Sequence, residues 1–273
     1  MLTAHKANDL PNLDSSWYSG FARRIYGLLL LMLTSLFTKT LVYGDTVYVG
    51  AASNFIIPMK HLAREFERSS GHNLKISYAS SGKLFAQISH GAPFHLFLSA
   101  DHHKPLALIE ADLADPVSLK TYALGTLVLW SSEDDIQLDY TYLISDNYRR
   151  LAIANPKLAP YGMAATEVLK TLNLHHQTKP RLITGENIAQ TYQFVASGNA
   201  RIGFVARSQA YAEGRLIAGS AWVVPKSYYH PIRQDMVLTR RGSGFGPAIE
   251  LHRFIQSETG RAIIRSYGYD LAK

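Results

Sequence analysis

The sequence predicts an α/β fold in which strands and helices alternate along the chain. Short apolar runs rich in Val, Ile and Tyr recur from Asp45 onward, and amphipathic segments with a helical period follow them. Small and hydroxyl-bearing residues occupy the turns between them. Such alternation is typical of sheets with many parallel strands, which bind ligands at the carboxyl ends of the strands.

The first 44 residues differ in character from the rest. Arg23 and Arg24 precede an apolar run at 25–37, and small residues follow near Gly44. A basic pair, an apolar core and small residues in this order are typical of a secretory signal, so we interpret residues 1–44 as a leader for export. The apolar run is short for a membrane span, and an uncleaved anchor is the competing interpretation.

Composition excludes several kinds of site. The chain has no cysteine, which rules out disulfides, thiolate metal sites and a cysteine nucleophile. The formal net charge of +7 is spread over 273 residues without a polybasic run. We therefore expect no nucleic-acid partner.

Two successive βα units begin the exported part of the chain and share one pattern. Ser53 and Asn54 follow one predicted strand, and Ser80 and Ser81 follow the next, in each case just before a helix. The first turn of a helix has unpaired N–H groups and the positive end of the helix dipole, so it can bind an anion. Gly82 would allow a ligand to approach the backbone closely. A serine in this position is also a common N-cap, and that interpretation stays open.

The other elements follow from the same criteria, period-2 alternation or a short apolar run for strands and a 3.6-residue period for helices. Strands are predicted at 47–51, 74–78, 94–99, 121–130, 150–154, 180–184, 201–205, 222–225 and 232–239. Helices are predicted at 58–68, 83–90, 104–110, 163–172, 187–197, 208–213, 247–257 and 258–267. We expect two lobes, the first formed by 45–124 and 230–273 and the second by 125–229. The two terminal helices should pack on the first lobe.

The second lobe repeats the turn pattern of the first. Tyr161 and Ile188 each lie between a predicted strand and a predicted helix. Four turns, two from each lobe, could therefore face one cleft. Their N–H groups, with the side chains of Ser53, Asn54 and Ser81, would surround a small anion with hydrogen-bond donors.

Seven segments of the chain carry a resemblance to a known family. They are AASN at 51–54, ASSGKL at 79–84, GAP at 91–93, LFLSAD at 96–101, PYG at 160–162, GEN at 185–187 and RIGFV at 201–205. In these segments the chain resembles the periplasmic molybdate-binding proteins of ABC importers. The resemblance covers essentially everything after the leader, and the stretch from GAP to LFLSAD is its most specific part.

The resemblance implies a type II periplasmic-binding-protein fold, with two lobes that are each a mixed, mostly parallel sheet flanked by helices. It implies an unhydrated molybdate or tungstate in the cleft between the lobes, no cofactor and no enzymatic activity. A monomer in the periplasm would deliver the anion to a membrane permease. The family's binding positions correspond to Ser53, Ser81, Tyr161 and Ile188, and Asn54 matches a variant in which two adjacent residues of the first turn bind.

This sequence departs from the family pattern at two positions. Ala206 stands where a tyrosine is common, and the phenol of Tyr161 could replace it from across the cleft. His95 stands where an acidic residue is usual, which affects a local hydrogen bond rather than the ligand. Lys83 or Glu186 could also contact the anion, although each is more simply explained as a solvated side chain.

The sequence alone also allows other functions. The same fold could bind sulfate, thiosulfate or another oxyanion. A hydrolase or transferase with a serine at a strand-to-helix turn would need a general base, and none is apparent in the sequence. If the leader is not cleaved, the chain would be a membrane-tethered oxyanion sensor.

Overall fold

A computed structural model describes residues 44–145 and 147–272 of the chain. Apart from Gly44, the predicted leader lies outside the described residues, and so does its apolar run at 25–37. Within the described ranges, no helix has both the length and the apolar character that a membrane span requires.

Two five-stranded sheets form the framework. The first sheet has the strand order β2–β1–β3–β12–β4, and the second has the order β11–β5–β8–β6–β7. The first sheet contains β1 (Thr46–Ala52), β2 (Asn73–Ala79), β3 (Leu96–Leu98), β4 (Lys120–Gly125) and β12 (Ile232–Leu238). The second contains β5 (Leu127–Ser131), β6 (Leu151–Ala154), β7 (Leu182–Gly185), β8 (Ile202–Ala206) and β11 (Ser220–Val223). A hairpin of β9 (Tyr211–Ala212) and β10 (Arg215–Leu216) stands apart from both sheets.

Both sheets are mixed. In the first sheet β1 is parallel to β2 and β3, whereas β12 is antiparallel to β3 and β4. In the second sheet β6 is parallel to β7 and β8, whereas β5 is antiparallel to β8 and β11. The chain enters the first sheet from the second at β12, and it enters the second sheet from the first at β5. Each of these two strands is antiparallel to its neighbours in the sheet.

Helices follow most of the parallel strands, as the alternation of the sequence predicts. They are α1 (Ile56–Ser70), α2 (Ser81–Ser89), α3 (His103–Glu110), α4 (Tyr140–Ser145), α5 (Pro160–Thr171), α6 (His175–Thr178), α7 (Ile188–Ala196), α8 (Arg207–Ala210), α9 (Gly246–Gln256) and α10 (Glu258–Ser266). A 3-10 turn at Ser53–Phe55 precedes α1.

Helices cover both faces of the first sheet. On one face, Val49 of β1 and Phe66 of α1 belong to the same buried cluster as Leu251 and Ile264 of the terminal helices. On the other face, Phe97 of β3 packs in a cluster with side chains from α2 and α3. The expected packing of the C-terminal helices on the first sheet is therefore confirmed, and burial on both faces is typical of parallel strands.

The second sheet is covered in the same way. Leu129 and Phe204 pack on one face in a cluster that includes Val168 of α5. Val128 and Val205 point to the other face, where Val195 of α7 joins them. Neighbouring residues of β5 thus belong to different clusters, which is the alternation that strand geometry imposes.

The single long strand predicted at 121–130 is wrong. The chain leaves the first sheet after Gly125 and enters the second at Leu127, so Thr126 separates two strands. Both strands are largely buried and apolar, and periodicity therefore cannot reveal the change of sheet. The chain passes back from the second sheet to the first between Val223 and Ile232. These positions lie close to the predicted lobe boundaries, which stay a prediction.

The two crossing segments are joined to each other. The N–H of Val224 donates to the carbonyl of Leu127 at 3.1 Å. The N–H of Leu127 donates to the hydroxyl of Tyr229, also at 3.1 Å.

The predicted helix at 208–213 is shorter than expected, because α8 ends at Ala210 and the chain continues into β9.

Gly125 provides a test of how tightly the crossing is packed. A Cβ at this position would overlap the hydroxyl of Tyr161 and lie 2.8 Å from Nε2 of Gln234. Overpacking of this kind costs about 1–3 kcal/mol. We expect Gly125→Ala to lower the free energy of unfolding by that amount in urea titrations. Gly244→Ala is the control, since a Cβ at that position would have no atom within 4 Å. Equal stability of both variants would contradict the packing described.

Candidate functional site

A small cavity lies where the first turns of several helices meet. About 180 Å³ of space between atoms belongs to it, including space open to solvent. Its lining consists of ten residues, Ala52, Ser53, Asn54, Ser80, Ser81, Ala100, Ala159, Pro160, Tyr161 and Ile188. All five residues that the sequence predicts for the site are among them. None of the ten side chains carries a charge, so the cavity offers dipoles and hydrogen bonds only.

A larger cavity lies beside it and shares Ala100 and Pro160 with it. This cavity has about 1030 Å³ of empty space. Its lining includes the carboxylates of Asp101 and Glu167. The same lining includes Arg233 and three histidines, so the charge of the larger cavity is mixed. The small cavity is the candidate anion site because all five predicted residues line it.

The two serines of the second turn have different roles. Ser80 is the N-cap of α2, and its hydroxyl accepts from the N–H of Lys83 at 3.3 Å. The hydroxyl of Ser81 accepts from the N–H of Ala100 at 2.9 Å. Because Ser81 is not the cap and its oxygen is an acceptor in that bond, its hydrogen is available to donate into the cavity.

The role of Gly82 in the structure differs from the predicted one, which was to let a ligand approach the backbone. Its N–H donates to the carbonyl of Leu158 at 2.9 Å, and a Cβ at this position would lie 3.0 Å from the same oxygen. Gly82 is absent from the lining of the small cavity. The close approach that requires glycine is therefore made by a backbone segment associated with the second sheet, not by a ligand.

Ser53 and Asn54 begin the 3-10 turn before α1, and both are buried. Within 44–145 and 147–272, the Ser53 hydroxyl has no hydrogen-bond partner. The Asn54 amide is different, because Nδ2 donates to Oε1 of Gln234 at 2.8 Å and to the hydroxyl of Tyr269 at 2.9 Å. Both Asn54 side-chain hydrogens are thus engaged, and a contact from Asn54 to a ligand would fall to its backbone N–H.

Tyr161 and Ile188 present backbone donors. Tyr161 is the second residue of α5, whose N-cap is Ala159, a residue without a capping side chain. Ile188 is the first residue of α7, and its N-cap Asn187 is bonded to later N–H groups instead. No carbonyl within its own helix can accept from an N–H in the first turn. Both N–H groups are therefore free to bind a ligand in the cavity.

The phenol of Tyr161 is buried beside the cavity. Its oxygen accepts from Nε2 of Gln234 at 3.1 Å. Burial raises the pKa of Tyr161 well above its usual value, and nearby tyrosines contribute to the rise. Burial likewise raises the pKa of Tyr122, and it raises the pKa of Tyr269 to about 12. All three hydroxyls are therefore protonated at neutral pH.

Lys83 and Glu186 bind each other. The Lys83 ammonium lies 2.6 Å from a carboxylate oxygen of Glu186, and both side chains are about half exposed. Lys83 belongs to α2 beside the first sheet, and Glu186 follows β7 of the second sheet. Neither residue lines the small cavity. The ion pair joins the two sides of the site at the surface.

The two departures from the family pattern have local explanations. Nδ1 of His95 accepts from the N–H of Tyr48 at 3.1 Å, and burial lowers the pKa of the imidazole. Ala206 is fully buried, and its N–H donates to Oε1 of Gln209. The Gln209 amide in turn donates to the carbonyl of Ile188 at 3.1 Å. Gln209 therefore connects the end of β8 to the first turn of α7.

Sequence reasoning missed the residues behind the cavity. Gln234, Tyr269, Tyr122 and Ser208 form hydrogen bonds with Asn54, with Tyr161 or with each other. Gln234 lies inside a buried strand and Tyr269 in the C-terminal tail, so neither is part of a motif. Polar side chains inside an apolar strand are the one signal that could have found Gln234.

The structure gives no support to metal binding. Among the described residues, no group of three or more His, Asp or Glu side chains could hold a metal ion.

The raised tyrosine pKa values predict a loss of stability at high pH. Above pH 10 the unfolded chain loses phenolic protons that the folded chain retains, so the free energy of unfolding must fall. A shift from 10.0 to about 12 at Tyr269 corresponds to about 2.7 kcal/mol over the full range. In Tyr269→Phe this contribution is absent. The stability difference between wild type and this variant should therefore shrink by about 1–2 kcal/mol between pH 9 and 11.5.

Urea titrations at each pH would measure this difference. Tyr140→Phe is the control, because the Tyr140 side chain is exposed. Its stability difference from wild type should stay constant over the same range. A constant difference for Tyr269→Phe as well would refute the buried, protonated phenol.

Comparison with known proteins assigns the chain to a family. Residues 47–270 match the family described as bacterial extracellular solute-binding protein. The chain is 43% identical over 226 residues to the molybdate-binding protein ModA of Azotobacter vinelandii, covering 82% of this chain and 90% of that protein. It is 40% identical over 223 residues to ModA of Rhodobacter capsulatus, covering 82% and 87%.

The fold agrees with this comparison. The solved structure of the periplasmic molybdate-binding protein of Azotobacter vinelandii superposes with a TM-score of 0.80 at 36% identity, covering 83% of this chain and all of that one. The predicted periplasmic-binding-protein fold is thus confirmed. The chain belongs to the bacterial extracellular solute-binding proteins, in the family that includes these molybdate-binding relatives.

Proposed function

We propose that this protein captures molybdate outside the cytoplasm and delivers it to an ABC importer. One observation carries the proposal. The small cavity is lined only by uncharged residues, and its free donors come from the first turns of helices that belong to both sheets. The names of the relatives, molybdate-binding protein, agree with this chemistry.

A tetrahedral dianion without a proton can accept hydrogen bonds but cannot donate one. The N–H groups of Ser81, Tyr161 and Ile188 and the hydroxyls of Ser53 and Ser81 are donors of the required kind. A hydrogen bond to a charged group contributes about 1.5–3 kcal/mol, and a well-placed helix end up to about 2. Sub-micromolar binding needs about 8–10 kcal/mol net, so a handful of these contacts suffices after the cost of association.

The same donors disfavour some competitors. Hydrogen phosphate carries a proton and needs an acceptor, which a ring of donors does not provide. Tungstate has the same charge and shape as molybdate, and we expect it to bind as well. Sulfate is smaller, so the cavity would have to discriminate by size. Binding of sulfate or thiosulfate is the alternative within the same fold.

We also propose that the chain binds rather than transforms its ligand. A serine nucleophile needs an adjacent general base, and none of the ten cavity residues is His, Asp, Glu or Lys. No cofactor is required for binding. We propose export through the leader, a periplasmic monomer and a membrane permease as the receiving partner.

A thermal-shift series with oxyanions tests the ligand. Saturation at 100 times the dissociation constant adds about 2.7 kcal/mol of stability. This corresponds to a rise of roughly 5–10 °C in Tm for a chain of this size. We expect molybdate and tungstate to give such a rise, and sulfate and phosphate to give little or none. If Tm rises with sulfate alone, the ligand is sulfate and not molybdate. If Tm rises with none of the oxyanions, the proposal is rejected.

Ser81→Ala tests the site. Loss of one charge-assisted hydrogen bond should weaken molybdate binding by about tenfold to a hundredfold in calorimetry. Ser89→Ala is the matched control, because Ser89 ends the same helix and is exposed. Its affinity should equal that of wild type. If Ser81→Ala folds normally and binds molybdate as tightly as Ser89→Ala does, the hydroxyl of Ser81 has no role in binding.

A further inference from the structure

We infer that Tyr269 is a positioning residue that fixes the gap between the two halves of the small cavity, one beside each sheet, and so makes the site selective for the size of the anion. This inference rests on the proposed function and deepens it, because size is what separates sulfate from molybdate. Tyr269 does not line the cavity, and it acts through Asn54 and Tyr161, which do.

The hydroxyl of Tyr269 is bonded to both halves of the site. Its oxygen lies 2.9 Å from the carbonyl oxygen of Asn54 and 2.9 Å from Nδ2 of the same residue. Asn54 belongs to the turn that follows β1 of the first sheet. A further hydrogen bond joins the hydroxyls of Tyr269 and Tyr161, and Tyr161 lies in the first turn of α5 beside the second sheet. One phenol therefore ties a cavity residue of the first half to a cavity residue of the second.

Ser208 adds another link between the halves at the same point. It lies in α8, which follows β8 of the second sheet. Its hydroxyl donates to the carbonyl of Asn54 at 2.9 Å and lies 2.9 Å from the hydroxyl of Tyr269. The hydroxyls of Ser208 and Tyr269 can both donate to this carbonyl, because a carbonyl oxygen has two lone pairs. The turn that carries Asn54 is thus held from the second sheet as well as from the C-terminal tail.

Two features hold this group of side chains in place. All of its members are buried, so water does not compete for their hydrogen bonds. The tail that carries Tyr269 is also fixed to the end of β4. The N–H of Leu124 donates to the carbonyl of Asp270 at 2.7 Å, and the N–H of Asp270 donates to the carbonyl of Leu124 at 3.2 Å. We therefore expect the gap between Asn54 and Tyr161 to stay the same when one anion replaces another.

A fixed gap between the halves discriminates between anions by size. Donors at the right distance for molybdate make longer and weaker hydrogen bonds to the smaller sulfate. If the halves can move, the donors follow the smaller anion and regain those bonds, whereas molybdate loses a preorganised site. Loss of the Tyr269 hydroxyl should therefore reduce the discrimination between the two anions, whichever of them the wild type prefers.

Tyr269→Phe removes the hydroxyl and keeps the ring. The readout is the ratio of the dissociation constants of sulfate and molybdate, measured by calorimetry at neutral pH, where both are dianions. We expect this ratio to move toward one by about tenfold or more, the effect of one hydrogen bond to a charged group. The ratio for tungstate and molybdate should keep its wild-type value, because these anions have nearly the same size. A general loss of affinity would weaken all three anions alike and leave both ratios unchanged.

Tyr267→Phe is the matched control, since it makes the same chemical change two residues earlier in the tail. The Tyr267 hydroxyl lies 3.3 Å from Nδ1 of His61 in α1. This variant should keep both ratios at their wild-type values. Ser208→Ala should move the sulfate-to-molybdate ratio in the same direction as Tyr269→Phe. The double variant should show less than the product of the two fold-changes, because both hydroxyls act on the carbonyl of Asn54.

The inference is overturned if Tyr269→Phe keeps the sulfate-to-molybdate ratio of the wild type, or if Tyr267→Phe changes that ratio equally. Should Tyr269→Phe fail to fold, Ser208→Ala decides by the same ratio. The wild type tests the proposed function separately. If it prefers sulfate, the proposed ligand is wrong, and the inference is still judged by the change in Tyr269→Phe. A wild type that binds both anions equally overturns the inference, and one that binds neither overturns both.

Discussion

The site depends on a constraint of helix geometry, namely that the first N–H groups of a helix find no acceptor within it. Caps normally satisfy these groups. Here Ser80 and Asn187 cap later positions in the first turn, and Ala159 has no side chain that could cap at all. The donors left over converge on one buried and uncharged cavity. Burial of unsatisfied donors costs free energy, and an anion with four oxygens removes that cost when it binds.

The arrangement of the two sheets brings these helix ends together. Each sheet supplies βα turns, and the chain passes between the sheets at Thr126 and again between Val223 and Ile232. The second passage delivers β12 to the first sheet and with it Gln234, which contacts both Asn54 and Tyr161. A strand that serves the first sheet thus bonds directly to a helix of the second. The polar residues behind the cavity are as much a product of the topology as the cavity itself.

The sequence predicts the local elements and the cavity lining well, because both are encoded over short distances. Strand alternation, helical period and small residues at the turns lie within a few positions of one another, and all five predicted residues line one cavity. The limits of prediction from the sequence also have physical causes. The chain changes sheet at Thr126 inside an apolar run, where hydrophobic periodicity cannot mark the change. The roles of Gln234 and Tyr269 depend on contacts across 180 and 215 residues, which no local pattern contains.

The exposed ion pair between Lys83 and Glu186 bears on how such a protein gives up its cargo. A pair that is half exposed on both sides contributes at most about 1 kcal/mol, and dissolved salt weakens it further. The surface link between the two halves of the site is therefore easily broken. Below the surface the halves are also joined by the bond from the Gly82 N–H to the Leu158 carbonyl and by the bond from Gln234 to Tyr161. A receiving membrane complex that pulled the halves apart would therefore work against these buried bonds and the anion, and hardly at all against the surface pair.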